Sequence, residues 1–289
     1  MTGQFLNLGG NPFFVRRWGD PTLPKLLLLH GFPEYSGAWD GLAQRLAGQF
    51  HCIAPDQRGY GQSWCPAEPD AYRAHLLAQD MAMLIRSEGG PMAVMSHDWG
   101  AAVAYALAIQ YPDLISRLIV ANGVHPGPFL RACAQGGAQS AASRYINELR
   151  RPDAEQSLSA NGFTKLFSLF PEDMDFSWMT AEKRAAYKAE WARPGRLSGM
   201  LNWYRASPVQ VAEPGRPIAV DPIPVAAARI TMPHLLIWGQ KDTALLPESL
   251  DGLEAYVPDL TCLTISDADH WVIHQKTSRV AGAVAAFLS

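Results

Sequence analysis

Cysteine is scarce in this chain of 289 residues: there are four, Cys52, Cys65, Cys133 and Cys262, scattered and without a C-x-x-C pair. That argues against a zinc site and against a disulfide framework. Lysine and arginine form no run long enough to grip a polyanion, and the formal net charge is −3. No nucleic acid and no membrane surface is therefore read as a partner. No apolar run approaches the roughly 20 residues of a membrane-spanning helix. Met1-Thr2-Gly3-Gln4 lacks the basic stretch and apolar core of a secretory leader, so the expected location is cytoplasmic. No internal repeat of solenoid or propeller period is present. What remains is ordinary for a globular protein: 48% hydrophobic and 18% charged residues, in a length that one α/β domain with an insertion accounts for.

Up to about residue 125, apolar runs alternate with helical spacing. Residues 13–18, Lys25–Leu29, the run ending Cys52-Ile53-Ala54-Pro55-Asp56 and residues 117–121 are strand-like. Residues 39–47 and 71–86 have helical patterns, the second with Leu76, Leu77, Met81 and Leu84 on one face. This alternation predicts a mostly parallel sheet covered by helices on both faces. From about 126 to 224 the alternation stops. Aromatic and charged residues mix at helical spacing, broken at Arg151-Pro152, Phe170-Pro171, Arg193-Pro194 and Ser207-Pro208. We expect a helical lid over 126–224, inserted into a core made of 1–125 and 225–289. Pro214, Pro217, Pro222 and Pro224 mark an extended return to the core. The alternation resumes at 234–238, and a helix over 278–288 closes the chain.

The most telling stretch runs from Pro91 to Ala102. An apolar run ends abruptly at Ser96-His97-Asp98-Trp99-Gly100, and an Ala-rich helical pattern follows. This is the strand–tight turn–helix layout of a nucleophile elbow, with Asp where the G-x-S-x-G form has Ser. Small residues on either side let strand and helix approach closely. The central residue takes a left-handed conformation, which Asp tolerates better than most. A carboxylate held there suits attack on an sp³ carbon, as in an epoxide or a carbon–halogen bond, and suits ordinary acyl transfer poorly. A capping Asp before a helix is the bland alternative. Two further motifs weigh against it. Asp242, in Ile237-Trp238-Gly239-Gln240-Lys241-Asp242, and His270, in Ala268-Asp269-His270-Trp271, follow Asp98 in the order nucleophile, acid, histidine. Each stands just past an apolar strand-like run, where reactive groups gather in parallel sheets.

With His30-Gly31-Phe32-Pro33-Glu34, Ser96-His97-Asp98-Trp99-Gly100, Asp242 and His270-Trp271 in hand, the chain resembles the α/β-hydrolase superfamily over nearly its whole length. Within that superfamily it resembles the epoxide hydrolases most closely. Asn202-Trp203-Tyr204-Arg205 resembles the segment carrying one of that group's two lid tyrosines, and Tyr145 falls where the other is expected. The resemblance implies an α/β-hydrolase fold with a helical lid. It also implies a cis bond before Pro33 and opening of an epoxide through an ester on Asp98.

On that reading His270 is the general base for water and Asp242 orients its ring. The backbone N–H groups of Phe32 and Trp99 form an oxyanion hole. Tyr204 and Tyr145 hold the epoxide oxygen, and His30, Pro33, Trp203 and Trp271 line the substrate site. Tyr187 is the rival for the second tyrosine and His274 for the base; His97 and Asp80 are read as structural, Asp80 as a capping or solvated residue. The mechanism requires no cofactor, and no metal-ligand cluster is visible. The expected partners are a small apolar epoxide and water; homodimerisation stays open. Haloalkane or haloacid dehalogenation with the same triad is the nearest alternative. It is weakened because Phe32 stands where a halide-binding Asn is usual and Trp99 where a carboxylate-binding Arg is usual. A non-catalytic receptor of the same fold is a third, with no need of an intact triad.

Overall fold

Eight strands form one sheet in the order β1-β2-β4-β3-β5-β6-β7-β8. They are β1 (Thr2–Leu8), β2 (Asn11–Trp18), β3 (Lys25–Leu29), β4 (His51–Pro55), β5 (Met92–His97), β6 (Ile115–Ala121), β7 (His234–Gly239) and β8 (Leu260–Ile265). β1 and β2 pair antiparallel with each other, and β2 with β4. All the other pairings are parallel. The computed structural model describes residues 1–170 and 176–289; the break expected at Pro171 lies outside them.

The central strands are largely apolar and buried because both faces are covered. Alternate residues feed two cores. Leu26, Leu28, Met95, Ile119 and Ile237 enter one, and Leu27, Leu29, Val94, Val120 and Leu236 the other. The helices between strands supply the covers. α1 (Asp40–Leu46), α2 (Ala74–Ser87) and α3 (Trp99–Gln110) alternate with strands β3 to β6. Among the described residues six more follow between β6 and β7: α4 (Pro126–Ala134), α5 (Ala138–Ala142), α6 (Tyr145–Leu149), α7 (Ala154–Phe167), α8 (Ala181–Trp191) and α9 (Arg196–Ala206). α7 is interrupted by non-helical backbone at 160–163. α10 (Leu253–Tyr256), α11 (Val272–Gln275) and α12 (Thr277–Leu288) complete the chain. α1 and α12 pack on the first core; α2 and α3 pack on the second. Among the described residues no helix is long and apolar enough to cross a membrane.

β1 departs from the sequence-based expectation, which began the sheet at residue 13. Its residues are mostly exposed on both sides, so no alternation of apolar and polar marks it. Pairing with β2 defines it instead. Asp80 also departs. It is buried rather than solvated, and its carboxylate takes two hydrogen bonds from Arg58, at 2.9 Å from Nε and 2.7 Å from Nη2. Burial pushes this carboxyl up to about 6, against the pull of Arg58.

The segment between β6 and β7 is tied to the core by side chains that reach backbone. Trp191 of α8 donates its indole N–H to the Pro33 carbonyl at 2.6 Å, and Trp203 of α9 donates to the Arg58 carbonyl at 2.9 Å. Arg150 gathers the carbonyls of Tyr204, Ser207 and Val209 at 2.8–2.9 Å, satisfying backbone groups that the end of α9 leaves open.

Removing one partner of the Arg58–Asp80 pair leaves a buried charge. Asp80→Ala should therefore lower unfolding stability by about 3 kcal/mol. Urea denaturation at neutral pH measures this; a loss below about 1 kcal/mol would show that the Arg58 guanidinium is satisfied by carbonyls alone.

Candidate active site

Asp98 is the single residue between the end of β5 and the start of α3, and its backbone is left-handed, at φ 50° and ψ −125°. A side chain there is strained by roughly 1–3 kcal/mol. The surroundings hold it: the Asp98 N–H donates to the Asn122 carbonyl at 3.2 Å, and the Asp98 carbonyl accepts from Ala101 N–H at 2.9 Å. Two glycines make room. A side chain at Gly31 would collide with the Asp98 carboxyl, and one at Gly100 with the Leu29 carbonyl.

Loops beyond β7 and β8 carry Asp242 and His270 to the same place. His270 Nδ1 lies 2.8 Å from Asp242 Oδ2, and Nε2 lies 3.4 Å from Asp98 Oδ2. Asp242 Oδ1 accepts the N–H groups of Ala244 and Leu245 at 2.8 and 2.9 Å. Burial alone would raise the Asp242 carboxyl. His270 overrides this and, with the Leu245 N–H and Asn122, holds it below its ordinary value. Burial would likewise depress His270, but Asp242 and then Asp98 hold it well above the usual histidine range. Asp267 and Asp269 point elsewhere. Asp267 pairs with Lys276, and Asp269 accepts the Trp271 N–H.

Asn122 has no counterpart among the residues singled out from sequence. Its side chain donates to Asp242 Oδ2 at 2.8 Å and exchanges two hydrogen bonds with the Gly239 backbone. Its φ of 34° is left-handed, a region that Asn enters more easily than most residues. An Asn just past a strand reads as a turn residue, so only its position beside β7 reveals the second role.

The Phe32 N–H donates to Asp98 Oδ1 at 2.7 Å. Among the described residues the Trp99 N–H forms no such bond. The Phe32–Pro33 bond is cis. Tyr204 on α9 and Tyr145 at the start of α6 face each other with ring centres 6.2 Å apart. Tyr204 stands edge-on to Phe32 at 5.0 Å and to Trp99 at 4.9 Å. Burial raises both phenols well above their ordinary value, so they stay protonated donors. Tyr187 is elsewhere, its hydroxyl committed to Glu34 Oε1 at 2.6 Å.

Asp98, Trp99, Tyr145 and Trp203 border one apolar cavity of about 360 Å³. His30, Pro33 and Trp271, expected to line the substrate site, are not on its wall. His30 is buried and neutral, its Nδ1–H on the Gly31 carbonyl and its Nε2 accepting the Gln57 N–H. Pro33 receives Trp191, and Trp271 packs against Phe170 at 4.3 Å. Behind the site lies a second buried group. Glu34 receives Tyr187 and His274 on Oε1, at 2.6 and 2.7 Å, while His97 stands 3.3 Å from Oε2. Burial would raise this carboxyl, and His274 and His97 instead hold it well below the usual range. His97 Nε2 donates to the His270 carbonyl at 2.7 Å. His274 thus serves Glu34 and does not reach Asp98.

Residues 24–277 match the family described as the alpha/beta hydrolase fold. The chain belongs to that family. It is 32% identical to an AB hydrolase superfamily protein of Bacillus subtilis, over 99% of this chain and 97% of the relative. It is 31% identical to epoxide hydrolase 4 of Mus musculus, over 93% of this chain and 74% of the relative. A solved structure, described among novel epoxide hydrolases of the superfamily from hot-environment metagenomes, superposes with a TM-score of 0.89 at 33% identity. The match covers 100% of this chain and 98% of the other. This α/β hydrolase is an enzyme of the epoxide-hydrolase type.

Asn122→Ala removes the amide on Asp242 and puts alanine in a left-handed position. It should lower stability by about 1–3 kcal/mol and hydrolase activity by about tenfold, because the Asp242 carboxyl loses one of the bonds that aim it at His270. Thermal unfolding and steady-state kinetics measure the two. Unchanged values in both would remove Asn122 from the site.

Proposed function

We propose that this hydrolase opens epoxides to vicinal diols through an ester on Asp98, with residues 126–224 acting as a lid over the core formed by 1–125 and 225–289. One observation carries the reading. A carboxylate at a strained turn, with the Asp242-oriented His270 beside it, borders an apolar cavity together with Tyr145, whose ring stands 6.2 Å from that of Tyr204. An Asp–His–Asp set alone serves epoxide and carbon–halogen substrates equally. The phenols favour the epoxide, whose opening leaves an alkoxide on carbon and no departing ion.

In the first step an Asp98 carboxylate oxygen attacks an epoxide carbon. The carbon–oxygen bond of the ring breaks, its electron pair goes to the ring oxygen, and a phenol of Tyr204 or Tyr145 donates the proton. Asp98 is then a neutral ester. Its share in raising His270 disappears, so the imidazole gives up its proton to the tyrosinate left by the first step, which restores the phenol and leaves His270 available as a base. In the second step His270 Nε2 takes a proton from water as the water oxygen adds to the ester carbonyl. The Phe32 N–H, joined by that of Trp99, stabilises the oxyanion. Collapse expels the diol oxygen, which takes the remaining proton of the added water, so that Asp98 returns as carboxylate and His270 is protonated as at the start. The net change is one epoxide and one water to one diol.

Purified protein incubated with styrene oxide should yield phenylethane-1,2-diol and release no halide from 1-bromobutane. Asp98→Asn should lose at least about a thousandfold in rate, equivalent to about 4 kcal/mol of barrier lowering, with deamidation back to Asp excluded by mass spectrometry. Halide release without diol formation would assign the same residues to dehalogenation. Binding without turnover of either compound would favour the receptor reading.

A further inference from the structure

The cavity over Asp98 extends in one direction. α3 turns one stripe toward it, Trp99, Ala102, Val103, Ala106, Ile109 and Gln110, at the three- and four-residue spacing of a single helix face. From Trp99 to Gln110 the helix rises roughly 17 Å. Ala102 and Ala106, one turn apart, keep the floor low. Leu77 of α2, Phe129 and Leu130 of α4, and Val209 close the groove from the other sides. Gln110, exposed at the end of α3, marks the far mouth; His75, exposed at the start of α2, lines the wall nearer Asp98.

The opposite flank of Asp98, past His270, is filled among the described residues. Phe170, Tyr187, Trp191 and Trp271 there are each 4% exposed or less. Phe170 packs on Trp271 with ring centres 4.3 Å apart, and Trp178 stacks on His274 at 4.0 Å. These rings leave little room for a second large substituent on the reacting ring.

Resting on the epoxide-opening reading above, we propose that the substrate class is terminal epoxides bearing a long, unbranched apolar chain. The oxirane sits between Asp98 and the tyrosine pair. The chain lies along the Ala102–Ala106 groove and its end emerges at Gln110. A roughly 17 Å groove takes an extended chain of about a dozen carbons.

The test is a series of 1,2-epoxyalkanes from butane to tetradecane, assayed with the full chain for kcat/KM. Each methylene buried in the groove should raise kcat/KM about three- to fourfold, until the chain reaches the mouth and the gain levels off. 5,6-Epoxydecane, with a chain on both carbons, should react at least about thirtyfold more slowly than 1,2-epoxydecane, which carries the same carbons on one arm. Ala106→Trp fills the groove midway and should move the optimum to shorter chains. Calorimetric binding of 1,2-decanediol against 1,2-butanediol reads the groove without chemistry, in unaltered protein, and should favour the longer diol. A flat chain-length profile, or equal rates for the two decane isomers, with styrene oxide still hydrolysed, overturns the chain class and leaves epoxide opening standing. Turnover of no epoxide by folded protein overturns the parent reading and the substrate class with it.

Discussion

One imidazole stands between two carboxylates. His270 is 2.8 Å from Asp242 and 3.4 Å from Asp98, and much of the surrounding structure serves that charge arrangement. Two negative groups so close in an apolar setting repel each other unless a cation or strong donors intervene. The structure answers with backbone N–H groups and Asn122 on Asp242, the Phe32 N–H on Asp98, and the raised affinity of His270 for its proton. In the proposed cycle the same balance is a timing device. While Asp98 is an anion the imidazole holds its proton, and when Asp98 becomes an ester that hold weakens.

The segment between β6 and β7 depends on the core in a matching way. Glu34, next to the loop that carries Phe32, accepts from Tyr187 of α8 and from His274 of α11, while His97 beside it donates to the His270 backbone. One buried carboxylate thereby connects a helix of the insertion, the loop facing Asp98 and, through His97, the backbone of His270. Burying such a charge is costly unless it is paired and hydrogen-bonded, and its partners come from three separate parts of the chain. Trp191 on the Pro33 carbonyl and Trp203 on the Arg58 carbonyl add neutral fastenings on the same side. Tyr145 and Tyr204 sit on α6 and α9, so their placement rests on these ties.

The fold was legible where hydrophobic runs end sharply. Lys25–Leu29 coincides with β3 and residues 234–238 fall in β7 because a buried strand beside a turn leaves a clear pattern. β1 was not legible, since an edge strand of mostly exposed residues needs no pattern beyond its pairing with β2. In the site, Asp98, Asp242 and His270 could be named because each sits directly after a strand, where topology alone brings strand ends together. Asn122 shares that position but carries no chemistry of its own. The Glu34 group was not legible either: residues 34, 97, 187 and 274 share no spacing, and only packing joins them. Tyr145 could be named from resemblance, with Tyr187 as its rival; which of them borders the cavity with Asp98 depends on how α6 and α8 are laid over the sheet. His30, Pro33 and Trp271 belong to matching motifs but buttress the site from behind its wall, because motif membership does not specify which way a side chain turns.

The central claim is that Asp98 forms a covalent ester and that His270 acts only afterwards. Intact-mass spectrometry of a His270→Gln variant after incubation with an epoxide tests it most directly. Attack by Asp98 does not require the imidazole to accept a proton, whereas hydrolysis does. The account predicts a stable adduct on Asp98, heavier than the free protein by the mass of one epoxide. A folded His270→Gln protein that binds the epoxide yet keeps its unmodified mass would contradict it, and would point to direct attack of a His270-activated water on the ring.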